Sequence, residues 1–409
     1  MIKVLHMVHK FYPIISGTSE RVFHSQPTDG VEHHIIVPSY DNRCSNYRYE
    51  EGFMVYQVRL ERRLPGRLSV NPRVNVLFKK AMGIIEDKGI DIIYGHNPQV
   101  FAAAALKVKN RVPAIPLIYE PHSLLHTDYE TSLGKGSFMT PRFLLHHYFK
   151  YITDTERDIL AKADRVVCQT EAIKQAMMEL YGMNPEKGVI GYNGIPDVPQ
   201  AIDVPRIRRQ YDLPNGSVVF YGGHLSANNG VDTIIRLVEL MPDVTFVIAG
   251  KGEFEAQLSQ MDRACQNLKF LGPLSKDEFL KVAAASDVLV FLREPNLTND
   301  SFLALKILDA IGLNKWILSS RLKIMQEVLQ HYRNIVFTDF GIGPIVESLR
   351  LACTQSEERR NIQGASLPEA FRWATTRGTM RSMYEDLVGK DLGPISQKEA
   401  LPRANAATS

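Results

Sequence analysis

The sequence predicts an α/β protein of two domains, each built on a doubly wound parallel sheet. Short apolar runs alternate with amphipathic stretches along most of the chain, which is the pattern of strands covered by helices. A length of 409 residues is too great for one hydrophobic core. A segment rich in proline and glycine begins at Gly194 and separates two such alternating series. We therefore place the interdomain linker there.

The first series contains six strand candidates. They read IKVLHMV, EHHIIVPS, FMVYQVRL, DIIYGH, IPLIYEPH and DRVVCQT. Helical patterns lie between several of them, and Pro27 ends the short helix that follows the first strand. This alternation indicates a parallel sheet and a first domain over residues 1–195.

The second series begins after the linker. Its strand candidates read SVVFYGG, VTFVIAG, LKFLG, DVLVFLRE, KWILSS and NIVFTD, and helices such as GVDTIIRLVELM and KDEFLKVAAAS separate them. They predict a second domain over residues 196–370. Ligands of such folds bind beyond the carboxyl ends of the strands, so a cleft between the domains is the expected site. Residues 389–409 are polar and predict a disordered tail.

Composition and charge exclude several classes of protein. The chain is 44% hydrophobic and 23% charged, and its net charge of +3 is too small for a dedicated nucleic-acid binder. Four cysteines stand singly, so neither a zinc site nor a disulfide framework is indicated and a reducing compartment is expected. The first residues read as a buried strand rather than a signal peptide, and no run reaches the length of a membrane helix. We expect a cytoplasmic protein.

A glycine-rich stretch, YGGHLSANNGVDTI, reads as strand, turn and helix. Glycine lets a backbone approach a phosphate closely, and a helix start offers unpaired N–H groups to an anion. No lysine or arginine stands in the stretch, and His224 is the one residue in it that can gain charge. The alternative is a plain turn in which Asn228 and Asn229 adopt left-handed conformations before Gly230.

Motifs in a characteristic order run from Met1 to about Leu387. They read FYPIISG, DIIYGHNP with His96, YEPHSLL with His122, ADRVVCQTEAIKQ, VIGYNGI with Asn193 and Gly194, and FRWATTRGTMRSMYEDL. Together they resemble the retaining glycosyltransferases of family 4. The resemblance implies the GT-B fold, with two facing Rossmann-like domains and sugar transfer from a nucleotide donor. It also implies a closing helix at 371–388 that returns to the first domain.

The glycine-rich turn departs from that family's pattern. Members usually carry an arginine and, five positions on, a lysine that bind the donor pyrophosphate, whereas this chain has His224 and Asn229 at those positions. Amide groups near Gly222 and Gly223 still offer donors to phosphate oxygens, with His224 as an additional proton donor. We therefore assign these four residues to donor binding.

A second departure lies in NDSFLALKILDA. The family commonly has two glutamates eight positions apart, and the aligned residues here are Ser301 and Asp309, which we assign to donor binding. Many members carry a lysine three residues before the second acid, which Lys306 matches. We expect Lys306 to supply the charge that the turn lacks and Asp309 to accept from ribose hydroxyls. A surface ion pair between these two is the alternative, and Asn299, Asp300 or Ser301 is expected to cap the helix.

Polar residues at strand ends form the rest of the candidate site. His122 can donate to a sugar hydroxyl or face the developing positive sugar centre with its backbone carbonyl, and the family places such a residue against the donor sugar. With Lys306 it is our catalytic assignment. Glu120 is a candidate acceptor contact or the buried partner of a lysine. His96 and Gly17 are further acceptor-side candidates, with structural roles as the alternatives.

A basic segment from Arg59 to Lys80 carries seven cations against one acid, interleaved with apolar residues. Such a mixture is attracted to anionic membranes, so Arg62, Arg63 and Arg67 are predicted membrane contacts. A solvated helix face and loop is the alternative.

These features predict a metal-independent, retaining hexosyltransferase of cell-surface polysaccharide or glycoconjugate biosynthesis, at the inner face of the plasma membrane. Its partners would be a nucleoside diphosphate sugar, a glycan or lipid-linked acceptor and an anionic membrane surface, with no cofactor and no nucleic acid. One alternative is a non-catalytic glycosyltransferase-like subunit that binds or activates a partner enzyme. Another is a different GT-B enzyme, such as an epimerase or phosphorylase. Lys306 and Asp309 favour an enzyme, and the lost cations favour the subunit.

Overall fold

The chain divides into two compact units, each built around its own β-sheet. The computed structural model describes residues 1–13, 16–39, 46–49, 52–60, 70–97, 99–124, 142–195, 202–330, 332–358 and 369–393. Unit 1 comprises Met1–Tyr192 and the segment that begins at Ala374, and unit 2 comprises Asn193–Trp373. Both are α/β units with mainly parallel sheets, so the predicted fold class is confirmed.

Unit 1 has a sheet of eight described strands. They are β1 (Ile2–Met7), β2 (Val31–Pro38), β3 (Asn46–Tyr49), β4 (Phe53–Val58), β5 (Ile92–His96), β6 (Leu117–Glu120), β7 (Arg165–Cys168) and β8 (Gly188–Ile190). Their order is β3-β4-β2-β1-β5-β6-β7-β8, and only the pair β3 with β4 is antiparallel. The six predicted strands are confirmed. The sequence did not predict β3 and β8, which are short and lie at the two edges, where little apolar surface is buried.

Five helices precede the linker region in the described part of unit 1. They are α1 (Gly17–Ser25), α2 (Val70–Lys88), α3 (Gln99–Arg111), α4 (Arg142–Lys162) and α5 (Glu171–Tyr181). Ser16 caps α1 with a capping box, and the helix ends just before Pro27. Thr170 caps α5, and Gly182 ends it in a left-handed conformation. Side-chain hydrogen bonds therefore set where these helices begin.

Unit 2 has a sheet of six described strands, all parallel. They are β9 (Val218–Gly222), β10 (Thr245–Ala249), β11 (Leu268–Phe270), β12 (Val288–Phe291), β13 (Trp316–Ser320) and β14 (Ile335–Thr338), in the order β11-β10-β9-β12-β13-β14. All six were predicted from the sequence. The strand order reverses between β9 and β12, and ligands of doubly wound sheets bind beyond the carboxyl ends of the strands at such a point.

The helices of unit 2 include one inside the predicted linker. They are α6 (Val204–Gln210), α7 (Val231–Leu240), α8 (Glu255–Ala264), α9 (Lys276–Ala285), α10 (Leu297–Ser301), α11 (Leu305–Gly312), α12 (Lys323–Leu329) and α13 (Ile342–Glu358). The expectation that the linker lacks regular structure is wrong for α6. Asp203 caps this helix and Pro205 lies in its first turn, where a proline needs no N–H partner. Proline there starts a helix instead of breaking one.

The last described helix, α14 (Trp373–Val388), packs on the sheet of unit 1. Its buried Met380, Met383 and Tyr384 join a core cluster with side chains from β1 and β5. Leu392 packs against the same cluster, and Arg381 donates to the carbonyl of Gly393 at 2.6 Å. Within the predicted tail, Leu392 is therefore partly buried because its apolar side chain covers this cluster, while residues 389–391 and 393 are exposed. Residues 394–409 lie outside the described residues.

Candidate functional site

The glycine-rich turn follows β9 where the strand order of unit 2 reverses. Gly223 has φ of +151° and Gly230 has φ of +74°, conformations that favour glycine. A Cβ on Gly230 would lie 1.9 Å from the carbonyl oxygen of Leu292, which excludes any other residue there. A Cβ on Gly223 would lie 2.9 Å from Nζ of Lys306. The backbone of the turn therefore passes directly beside an ammonium group.

The asparagines of the turn do not adopt left-handed conformations, so that part of the plain-turn alternative is wrong. They end a 3-10 turn, Ala227–Asn229, and the left-handed position falls on Gly230 because a glycine has no Cβ to clash. Asn229 instead braces the turn through its side chain. Its Nδ2 donates to the carbonyl of His224 at 3.1 Å and to Oγ of Ser226 at 2.9 Å. His224 itself is exposed.

The ammonium of Lys306, near the start of α11, lies among aromatic rings. Its Nζ is 4.3 Å from the ring centroid of Tyr221 and 5.6 Å from that of Phe291. Within the described part of the chain, no carboxylate forms an ion pair with it. Loss of solvation, together with the nearby charge of Arg293, lowers the pKa of Lys306 well below its ordinary value. The described residues thus surround this lysine with aromatic rings and supply it with no anion.

Asp309 pairs with a lysine that the sequence analysis did not consider. Both carboxylate oxygens accept from Nζ of Lys276, at 2.8 and 2.7 Å, and the Asp309 side chain is only 5% exposed. The surface ion pair between Lys306 and Asp309 is therefore wrong as an alternative. Lys276 begins α9 just after its capping residue Ser275, far from Asp309 in sequence. Asp309 keeps its proposed role towards ribose as a prediction.

Arg293 is a second cation at the turn that sequence reasoning missed. It follows β12, and its Nη2 donates to Oδ1 of Asn229 at 2.7 Å. Asn229 occupies the position where family members usually carry a lysine. Arg293, just beyond the end of the neighbouring strand β12, therefore contacts the asparagine that stands in place of the usual lysine. The sequence shows an arginine just after the strand predicted from DVLVFLRE, but only the strand order shows that β12 lies beside β9, so that residues following the two strands meet at one edge of the sheet.

The segment before Lys306 folds differently from the sequence prediction. Asn296 caps α10, where Asn299, Asp300 or Ser301 had been predicted to cap one longer helix. Residues 302–304 then interrupt the helical pattern, and α11 begins at Leu305 with no capping side chain. Ser301 is buried and its Oγ donates to the carbonyl of Leu297 at 2.7 Å. The uncapped amide groups of α11 lie next to Lys306 in sequence.

In unit 1, Glu120 ends β6 as a buried, fully engaged carboxylate. Its Oε1 accepts from Nε of Arg21 at 2.8 Å and its Oε2 accepts from the hydroxyl of Tyr94 at 2.6 Å. Burial would raise the pKa of Glu120, but the Arg21 charge and these hydrogen bonds outweigh burial and lower it. Its partner is an arginine and not the lysine that we had considered. This arrangement favours a structural role, and acceptor binding by Glu120 stays a prediction.

Four histidines form a continuous hydrogen-bonded chain across the sheet of unit 1. His33 of β2 bonds His6 of β1 at 3.0 Å, His6 bonds His96 of β5 at 3.2 Å, and His96 bonds His122 beyond β6 at 2.9 Å. Burial lowers the pKa of all four imidazoles, that of His33 to about 4. All four are therefore neutral at pH 7.

His122 uses both ring nitrogens inside the protein. Its Nε2 faces His96, and its Nδ1 lies 3.1 Å from the side-chain amide of Gln169. Donation from this ring to a sugar hydroxyl would require one of these bonds to break. His96 is fully buried, while Gly17 is exposed at the start of α1. The structure brings His96, Glu120 and His122 together in unit 1. In unit 2, the residues of the glycine-rich turn form another group: Gly222, Gly223, His224 and Asn229.

Among the described residues, one group of side chains has the spacing of a metal site. A ring nitrogen of His96, one of His122 and a carboxylate oxygen of Glu120 lie within 4.8 Å of one another. The facing nitrogens are already bonded to each other, and Glu120 is paired with Arg21. Metal binding there would have to break the histidine chain and an ion pair.

The predicted membrane contacts, Arg62, Arg63 and Arg67, lie outside the described residues. None of the described helices combines the length and the apolar character that crossing a bilayer requires.

Comparison with known families decides the class of the protein. A family model described as Glycosyltransferase Family 4 matches residues 21–197, and one described as Glycosyl transferases group 1 matches residues 203–366. Together they cover most of the chain. The chain is a family 4-like glycosyltransferase. Its recognition from motifs, and its assignment to the transferases, are confirmed.

Curated relatives of this glycosyltransferase match it over part of its length. The D-inositol 3-phosphate glycosyltransferase of Mycolicibacterium gilvum is 24% identical over 43% of this chain and 40% of its own length. The phosphatidyl-myo-inositol mannosyltransferase of Mycobacterium tuberculosis is 22% identical over 47% of this chain and 54% of its own. The glycosyltransferase thus spans about half the length of the curated relatives that it matches.

Solved structures establish the fold of this glycosyltransferase as GT-B. The sucrose-phosphate synthase of Thermosynechococcus elongatus superposes with a TM-score of 0.74 at 12% identity, over 95% of this chain and 100% of the other. The Anabaena protein HepE, in complex with UDP and glucose, superposes with a TM-score of 0.67 at 18% identity, over 94% and 99%. At these identities the likeness concerns the fold alone.

Proposed function

We propose that this glycosyltransferase is a retaining enzyme that transfers a hexose from a nucleotide-sugar donor, and that unit 2 binds the donor diphosphate. The observation that carries the proposal is the ammonium of Lys306, which has no carboxylate partner among the described residues and lies beside Gly223, where the strand order reverses. A cation desolvated without an anion costs free energy in the empty protein. A bound diphosphate would supply that anion.

The chemistry of transfer needs positive charge at this place. Negative charge builds on the leaving diphosphate as the glycosidic bond breaks, and fixed cations and amide dipoles stabilise it without reorganisation. Lys306 and Arg293 supply the charge that the turn itself lacks, and the turn amides and the uncapped start of α11 supply N–H donors. On this proposal, Lys306 and Arg293 lie on neighbouring elements and take the place of the arginine and lysine that family members usually carry in the turn.

The names of the relatives suggest the probes for donor and acceptor. HepE holds UDP and glucose, so UDP and UDP-glucose are the first ligands to test. The relatives named for inositol phosphate and phosphatidylinositol acceptors, and WaaG of lipopolysaccharide biosynthesis, support a glycan or lipid-linked acceptor of the cell surface. The non-catalytic alternative is disfavoured because it gives no role to the charge of Lys306, which no described carboxylate balances.

Calorimetric titration with UDP, ADP and GDP, followed by donor turnover assays, tests this function. One nucleoside diphosphate should bind, and its hexose donor should be consumed with and without EDTA. Product analysis by NMR should show the anomeric configuration of the donor retained. If no nucleoside diphosphate binds, the non-catalytic subunit becomes the better interpretation. Loss of turnover in EDTA would instead refute metal independence alone.

Replacing His224 by arginine should strengthen diphosphate binding. His224 is exposed in the turn, so a longer side chain has room, and arginine restores a permanent charge where family members usually carry one. We expect UDP affinity to rise by about 1.5–3 kcal/mol, the usual value of a charged hydrogen bond. Calorimetry measures the change, with His224→Gln as the uncharged control. Equal affinities of the arginine and glutamine variants would place the diphosphate elsewhere.

Attachment to anionic membranes is a separate prediction from the basic segment. Liposomes that contain phosphatidylglycerol should bind the protein, and binding should fall as salt rises, because charges are screened over about 10 Å at 0.1 M ionic strength. Replacing Arg62, Arg63 and Arg67 by glutamine should remove most of the binding in a flotation assay. Equal binding to neutral vesicles would contradict the prediction.

A further inference from the structure

The histidine chain of unit 1 has two defined ends. At one end, Nε2 of His33 lies 2.7 Å from the carbonyl oxygen of Pro27. At the other end, Nδ1 of His122 lies 3.1 Å from the side-chain nitrogen of Gln169, which follows β7. The chain therefore begins before β2 and crosses β1, β5 and β6 before it ends beyond β7.

These ends determine the position of every proton between them. A carbonyl oxygen only accepts, so Nε2 of His33 must carry a hydrogen, and in a neutral ring its Nδ1 must then accept. Nε2 of His6 therefore donates to His33, which leaves Nδ1 of His6 to accept from Nε2 of His96. In the same way Nδ1 of His96 accepts from Nε2 of His122. The amide of Gln169 completes the series by donating to Nδ1 of His122.

All four rings are consequently Nε2–H tautomers that point in one direction. The reverse direction would place a nitrogen lone pair against the Pro27 carbonyl at 2.7 Å, which is repulsive. Ring stacking holds the planes as well, since Tyr94 stacks on His96 with centroids 4.5 Å apart and an interplanar angle of 9°. Neither the ion pair of Glu120 nor the diphosphate site of unit 2 requires this arrangement.

We propose that the chain is a directional hydrogen-bond relay that fixes the tautomer and ring plane of His122, with His33 and His6 as positioning residues for sugar transfer. This inference rests on the proposed function and on the role towards the donor sugar that the family resemblance implies for His122. The relay makes Nδ1 of His122 an acceptor. On this proposal, a sugar hydroxyl that replaces the Gln169 amide must donate to Nδ1 of His122. Donation from His122 and a role for its backbone carbonyl were the two alternatives from the sequence.

Histidine-selective ¹⁵N NMR of the full chain tests the relay in the resting protein. The wild-type spectrum should show His6, His33, His96 and His122 as neutral Nε2–H tautomers. An Nδ1–H tautomer or an imidazolium at any of them at pH 7 overturns the relay before any variant is made.

Two neighbouring substitutions then separate the relay from local structure. His33→Phe keeps a ring against Phe53 but removes the acceptor for His6, so the tautomer of His122 should become mixed although two rings lie between them. The matched control is His34→Phe, on the next residue of β2, whose imidazole bonds the hydroxyl of Tyr56 outside the chain. It should leave His122 unchanged. A change confined to His6 in His33→Phe would show only local packing and overturn the relay.

Kinetics connects the relay to the reaction. His33→Phe should lower kcat about tenfold to a hundredfold, the usual cost of losing a residue that orients a catalytic group, with KM for the donor unchanged. UDP affinity should also stay the same, because unit 2 binds the diphosphate. A mixed His122 tautomer with unchanged kcat would overturn the positioning role. Failure of the wild type to bind any of UDP, ADP and GDP would instead refute the proposed function, and the NMR result would stand apart from it.

Discussion

Replacing Lys306 by methionine is expected to weaken UDP binding and, at the same time, to stabilise the folded protein. The ammonium lies 4.3 Å from the centroid of the Tyr221 ring and beside Gly223, where it can meet a phosphate oxygen. Its loss should reduce UDP affinity by about 1.5–3 kcal/mol, the usual contribution of a hydrogen bond to a charged group. Turnover of the donor should fall further, because charge on the leaving diphosphate grows in the transition state.

The gain in stability follows from the same desolvation. Burial lowers the pKa of Lys306, so the unfolded chain holds this proton more tightly than the folded protein does. Between the lowered pKa and the ordinary lysine value of about 10.4, the free energy of unfolding of the wild type should therefore rise with pH. Methionine has no proton to lose, fills a similar volume and packs against the two aromatic rings. The variant should be more stable at neutral pH and lack that rise.

Urea unfolding at several pH values and calorimetry with UDP measure the two effects. Lys281→Met is the matched control, because Lys281 is half-exposed and, among the described residues, forms its ion pair with Asp277 one helical turn away. It should change neither UDP affinity nor the pH dependence of stability. A Lys306→Met protein that binds UDP as tightly as the wild type would exclude Lys306 from the donor site. A variant less stable than the wild type would mean that the ammonium has a favourable partner in the empty protein.

Replacing Arg21 by methionine should destabilise unit 1 by about 3–5 kcal/mol, the cost of leaving a buried charge without its partner. The guanidinium Nε lies 2.8 Å from Oε1 of Glu120, and both side chains are only 1% exposed. After the substitution, the Tyr94 hydroxyl still donates to the Glu120 carboxylate. The expected loss is large because water cannot replace the guanidinium in the core.

The pH dependence of this variant has a definite sign. In the wild type the pKa of Glu120 is lowered, so the ion pair contributes stability above the ordinary glutamate pKa of about 4.3, and this contribution is lost as the pH falls through the folded value. Without Arg21, burial dominates and raises the Glu120 pKa. The free-energy deficit of the variant should therefore be largest at neutral pH and should shrink as the solution becomes acidic.

Urea denaturation from pH 4 to pH 8 measures this deficit. Arg350→Met is the matched control, because Arg350 forms an ion pair with Asp243 at 2.8 Å and both side chains are more than half exposed. It should change the free energy of unfolding by less than about 1 kcal/mol. Adding Glu120→Gln to Arg21→Met should recover part of the loss. An Arg21→Met protein as stable as the Arg350 control would mean that the buried pair contributes no net stability.

Local sequence was sufficient for most of the fold. Twelve apolar runs predicted as strands are strands in the structure, and the glycine-rich turn lies where the sequence placed it. The wrongly predicted helix boundaries lie in segments where a capping hydrogen bond, which composition does not reveal, decides where the helix begins. Prolines suggested a break where Asp203 starts α6, and Asn296 rather than a later residue caps α10. A capping side chain changes a helix boundary by a few residues without changing hydrophobic periodicity.

The candidate site depended on contacts between residues far apart in sequence. Spacing along one helix left an ion pair between Lys306 and Asp309 as an alternative to donor binding, but Asp309 binds Lys276 and Lys306 lies among aromatic rings. The sequence also left Arg293 out, because nothing in DVLVFLRE by itself says which strand lies beside β12. The order of the strands brings Arg293 to the side chain of Asn229.

The sequence by itself determined two α/β units, their strands and the family 4-like character of the chain, because these depend on local periodicity and on short motifs. Only the tertiary structure decided which charges are paired and which histidines meet. His33, His6, His96 and His122 belong to four segments, and they form one chain because β2, β1, β5 and β6 are neighbours in the sheet. Strand order follows from non-local packing, and the direction of the proton chain follows from a single carbonyl at its end.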